Sequence, residues 1–141
     1  MGKTNEELLQ EEYWIIDILP KQVPADSPGR YFAVEDYFLT EPRRTAIKQK
    51  HVNLILKLNC YRRIILDDAF GPSPEVTEEA VLSRYVSIRI DDCLITSAPD
   101  ETYLTLFHPD EELLKLVRVI AAGEGLYVWQ PRDTGSEQEK Q

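Results

Sequence analysis

Three β-prone segments crowd together in the second half of this chain: Tyr85 to Ile90, Leu94 to Ser97 and Thr102 to Phe107. Only turn chemistry separates them, Asp91-Asp92 in one gap and Ala98-Pro99-Asp100 in the other. An Asp side chain bonds its own backbone and a Pro ring fixes φ, so both residues favour turns. The segments therefore read as an antiparallel meander. Such a sheet must bury one face against other elements, and here the candidates are helices.

The next unit supplies one of them. Pro109 is expected to open a helix, with Asp110, Glu111 and Glu112 in its first turn, where they complement the dipole. Leu113, Leu116, Val117 and Ile120 form the expected buried stripe, with Leu114 and Ala121 beside it. Glu111 is best placed to pair with Lys115. Gly123 ends the helix, Leu126 to Trp129 is a strand, and Pro131 stops it.

A second helix is expected over 42–59, with Pro42 in its first position. Ile47, His51, Leu54, Ile55 and Leu58 recur at helical spacing, although Val52, Leu54, Leu56, Leu58 and Cys60 also alternate as a strand would. A strand of this length would be unusual, so length decides for the helix. Val52 and Leu56 then fall off the stripe and call for a second covering surface.

The remaining segments are shorter. Tyr13 to Leu19 reads as a strand, apolar enough for an inner position. Pro20, Pro24, Pro28 and Gly29 mark a long loop of the kind that is either functional or loosely held. Tyr31 to Leu39 fits neither period well and is expected to be a short helix. Arg63 to Leu66 reads as a strand, Asp67 to Pro74 as a loop and Glu75 to Ser83 as a short helix. The expected fold is α+β, a largely antiparallel sheet of five or six strands covered by two main helices, 42–59 and 109–122. Residues 1–11 are expected to be a flexible tail, 12–131 a single globular domain and 132–141 a tail disordered by composition.

A length of 141 residues fits one domain with a self-sufficient core. Cys60 and Cys93 do not suggest a disulfide framework. The N-terminal MGKTNEELLQ has no apolar run, no stretch is apolar enough to span a membrane, and a cytoplasmic location is expected. A net charge of −9 opposes nucleic-acid binding by the whole molecule.

That charge is segregated. Arg43 to Arg63 contains Arg43, Arg44, Lys48, Lys50, Lys57, Arg62 and Arg63 and no acid, while the other 120 residues hold 9 basic and 25 acidic side chains. Basic residues beside an apolar stripe usually lie over the edge of a core. The functional alternative is an anion site: Arg43, Arg44, Lys48 and Lys50 near a helix start, where free N–H groups add to their charge, with His108 as a further candidate at a strand-to-helix junction. Other groups have plain structural readings. His51 lies on an apolar stripe. Asp67-Asp68 and Asp91-Asp92 follow strands, as turn residues do. Cys60 has basic neighbours that favour a thiolate, whereas acids beside Cys93 disfavour one.

No nucleotide-binding, hydrolase or metal motif is present, and no motif points to a known family. No catalytic residue, cofactor or metal is expected. The function expected is binding: a small acidic interaction protein whose partner is another protein or a second copy. The alternative is an enzyme or small-ligand domain recognising a phosphate- or carboxylate-bearing ligand with His108, Asp91-Asp92 and the basic stretch around one cavity.

Overall fold

A computed structural model describes residues 2–131. It is an α+β chain with a seven-stranded antiparallel sheet and five helices. In chain order the elements are α1 (Asn5–Leu8), β1 (Tyr13–Asp17), α2 (Tyr31–Leu39), α3 (Arg43–Leu58), β2 (Ile65–Leu66), β3 (Ala69–Phe70), α4 (Pro74–Ser83), β4 (Val86–Ile90), β5 (Cys93–Ser97), β6 (Leu104–Phe107), α5 (Glu111–Gly123) and β7 (Tyr127–Trp129). The sheet order is β3-β2-β4-β5-β6-β1-β7. The expected meander is its centre, with Ile88 opposite Ile95 and Ile95 opposite Leu106. As expected of an inner strand, β1 lies between β6 and β7.

Side chains alternate across a strand, so one face of β4 carries Val86, Ile88 and Ile90, all fully buried. They join one core with Ile16, Leu104 and Leu106 from the sheet and with Leu54, Leu58, Ala80, Val81, Leu113 and Val117 from the helices. Helix α3 packs against both α4 and α5. Val52 is buried in the same core cluster as Ala80 and Val81 of α4, the helix packed against α3. Its N-cap, Ser73, accepts the Val76 N–H at 3.1 Å.

Several boundaries shift for local reasons. Pro42 stands at the N-cap of α3 rather than inside it. The N-cap of α5 is Asp110, whose Oδ1 accepts the Leu113 N–H at 2.7 Å, so Pro109 precedes the helix instead of opening it. The fully buried stripe of α5 is Leu113, Val117 and Ala121, while Leu116 and Ile120 pack partly buried at its edge. The seventh strand, β3, sits inside the expected loop. It is two residues long and pairs back on β2 across the Asp67-Asp68 turn.

The segment expected to be a flexible tail over 1–11 carries α1. Thr4 and Glu7 form a capping box, each side chain accepting the other residue's backbone N–H. Leu8 is fully buried against Leu94 and Phe107, on the sheet face opposite the main core. The expected disordered segment 132–141 lies outside the described residues. Among the described residues no helix is long and apolar enough to cross a membrane.

Candidate functional site

The basic stretch divides between two places. At the start of α3, Arg43 stacks over the Tyr37 ring at 3.8 Å, and its Nε–H donates to the Tyr37 carbonyl at 2.7 Å. Arg44 donates to the Pro99 carbonyl at 2.9 Å and pairs with Glu41 at 2.8 Å. Lys48 is fully buried, its ammonium donating to Ser97 Oγ at 3.0 Å and the Ala98 carbonyl at 2.7 Å. Burial holds its pKa down at about 8. The first N–H groups of the helix are also engaged: those of Arg43 and Arg44 by Thr40 O, that of Thr45 by Glu41 Oε1. Lys50 is half-buried and makes no ion pair among the described residues. The structure therefore does not gather Arg43, Arg44, Lys48 and Lys50 into an open site, and His108 lies elsewhere.

The other end of the stretch reaches acidic residues that share a cavity with His108. The Asp91-Asp92 turn, Cys93, His108, Pro109 and Asp110 line a cavity of about 360 Å³. A neighbouring cleft of about 1080 Å³ is bordered by Arg63, Arg89, Asp91 and Asp92. Arg62 bridges Asp91 at 3.0 Å and Asp110 at 3.3 Å. Asp110 is held below the usual carboxylate range, chiefly by the Leu113 N–H and then by Arg62. His108 Nδ1 sits 3.0 Å from the Asp92 carbonyl, which can only accept, so the proton resides on Nδ1. Burial pushes the Cys93 thiol up to about 12, so it is no nucleophile at neutral pH.

The two acidic doublets do not converge. Each forms a hairpin turn whose first residue has positive φ, 53° at Asp67 and 52° at Asp91. Asp67 Oδ1 accepts the Ser87 N–H at one end of β4, while Asp91 follows its other end. Among the described residues no group of His, Cys, Asp and Glu could hold a metal ion. His51 is fully buried, and neither ring nitrogen has a hydrogen-bond partner among the described residues. Burial keeps it neutral, far below its ordinary pKa.

A third place carries acids in an apolar setting. Asp17 ends β1 and is only 7% exposed. It lines a cavity of about 360 Å³ with Lys21, Pro24, Tyr31, Phe32 and Trp129. Desolvation lifts its pKa to about 6 against the hydrogen bonds from the Ile18 and Leu19 N–H groups, with Glu35 adding to the rise. The Tyr31 hydroxyl donates to Glu35 at 3.3 Å, and the Tyr103 hydroxyl to Glu101 at 3.2 Å. Burial comes first among the causes that raise Tyr31 and Glu101 as well. Perturbed acids beside a cavity are a recurring mark of functional surfaces. The sequence signal for this place is faint: Asp17 interrupts the apolar run Tyr13 to Leu19, directly before the proline-rich loop.

Beside this cavity runs α2. None of its nine residues is buried, and Phe32, Val34 and Tyr37 are 79%, 43% and 55% exposed. No family model, curated protein or solved structure matches this chain.

Proposed function

We propose that this chain works by binding a basic protein through α2 and the acidic surface around it, without covalent chemistry of its own. One observation carries the reading: α2 is a helix of largely apolar sequence that buries no residue in the monomer. Exposed apolar surface gathered on one element marks an interaction face better than scattered single residues do. Glu35 and Asp36 are the charged side chains of α2 itself, and they set the sign of the partner. The net charge of −9 would speed encounter with it.

The test places a photo-crosslinking residue at Phe32 and, as a control, at Phe70, which is 81% exposed on the far edge of the sheet. The expected product is an adduct to one basic protein at position 32. It should disappear when Glu35→Lys and Asp36→Lys are introduced, and weaken at high salt. Equal adducts at both positions, or a partner indifferent to the charge reversal, would refute the reading. Sedimentation at micromolar concentration addresses the other occupant: a dimer abolished by Phe32→Ser would make α2 a contact between copies and remove the basic partner.

A further inference from the structure

We propose that the cavity beside Asp17 receives one cationic side chain, a lysine or an arginine, from a protein partner. The inference deepens the protein-binding reading and takes its source of ligand from it.

The chemistry of the walls selects the ligand. Asp17 Oδ1 accepts the Ile18 N–H at 2.7 Å, and among the described residues no cation pairs with the carboxylate. Lys21 lies on the rim and forms no ion pair among the described residues. A buried carboxylate without a countercharge is unfavourable, and a guanidinium or ammonium entering the cavity would relieve it. Tyr31, Phe32 and Trp129 supply aromatic surface to the same space. The indole N–H of Trp129 donates to the Leu19 carbonyl at 2.9 Å, which anchors that ring. Aromatic rings attract cations, and on this same helix Tyr37 already takes the Arg43 guanidinium at 3.8 Å. An anion would meet Asp17 and Glu35, and a neutral group would leave the carboxylate uncompensated. About 360 Å³ accommodates one long side chain. Phe32 belongs both to this cavity and to the exposed surface of α2, so a partner on α2 would have the cavity within reach.

The charge of Asp17 makes recognition pH-dependent. The titratable groups facing it are Glu35 and Tyr31 from α2 and Lys21 from the loop, with Tyr127 opposite it on β7. With a pKa of about 6 the carboxylate is ionised at pH 7.5 and about nine-tenths protonated at pH 5. Affinity for a cation, scaled by the ionised fraction, should therefore fall about tenfold between them.

The experiment titrates the full chain with the Nα-acetyl methylamides of arginine, lysine and norleucine, read by two-dimensional NMR. The charged probes are expected to shift resonances of residues 17–32 and Trp129, and norleucine to bind at least tenfold more weakly. Asp17→Asn should abolish the preference for charge and its pH dependence, while Phe32→Ala weakens the charged probes and leaves the pH profile intact. Norleucine binding equal to arginine, shifts confined to another region, or full affinity in a folded Asp17→Asn variant would each overturn the proposal. The probes need no partner, so their failure would leave the crosslinking result at Phe32 untouched, and a failed crosslink would not alter theirs.

Discussion

Replacing Asp17 by Asn should make the protein more stable at neutral pH. The carboxyl titrates at about 6 in the folded chain, against an ordinary value of 3.8. A displacement of roughly two units corresponds to about 3 kcal/mol, at 1.36 kcal/mol per unit. For an acid raised on folding, the folded state holds the proton more tightly, so stability falls as pH rises. This group's penalty is nearly absent below pH 3.8, grows between 4 and 6, and is complete above 6. Asn keeps the oxygen that accepts the Ile18 N–H and carries no charge. At pH 7 the variant should gain about 2–3 kcal/mol, roughly 10 °C in Tm for a chain of this size. Chemical denaturation of both proteins from pH 4 to 7.5 measures it: the curves should nearly meet at pH 4 and separate by pH 6.5. Parallel curves, or a variant no more stable at pH 7, would refute the claim that Asp17 is desolvated and uncompensated. A gain would also mean that the wild-type residue is kept at a cost to stability, as functional residues often are.

Leu113→Ala should destabilise by about 3–4 kcal/mol and Leu116→Ala by clearly less, because Leu113 is fully buried and Leu116 lies at the edge of the core; denaturation midpoints decide the order. Leu8→Ala should lose about 2 kcal/mol and raise amide exchange in α1 before the rest of the sheet, since Leu8 is the one buried residue of α1. A thiol reagent should label Cys60 rapidly in the native protein and Cys93 only on unfolding, as Cys60 is exposed and Cys93 buried; two fast equivalents would contradict that placement.

The elements with a long period or clear punctuation were legible in the sequence. The meander from 85 to 107 and the helices α3 and α5 stand where turn residues, apolar spacing and Gly123 put them. What escaped has physical reasons. A two-residue strand such as β3 has no period to detect. In α1 the capping-box residues Thr4 and Glu7 lay in a stretch read as polar, and a single buried leucine could not mark it as anchored. Lys48 counted as surface charge until the fold supplied Ser97 and Ala98 as acceptors from positions far along the chain. The Asp17 cavity joins β1, the proline-rich loop, α2 and β7, and no spacing in one sequence can announce a convergence across that separation.

The sheet also dictates how a partner cannot attach. Its outermost strands are β3, two residues, and β7, three residues, with Pro72 and Pro131 close behind them. Backbone that stops so soon offers little for an incoming strand to pair with. Strand addition, whether by a peptide ligand or by a chain of copies growing into a fibre, would start from two or three residues and gain few main-chain hydrogen bonds. Among the described residues the sheet therefore leaves little backbone open at its two outermost strands, and a partner would have to engage side chains rather than extend the sheet.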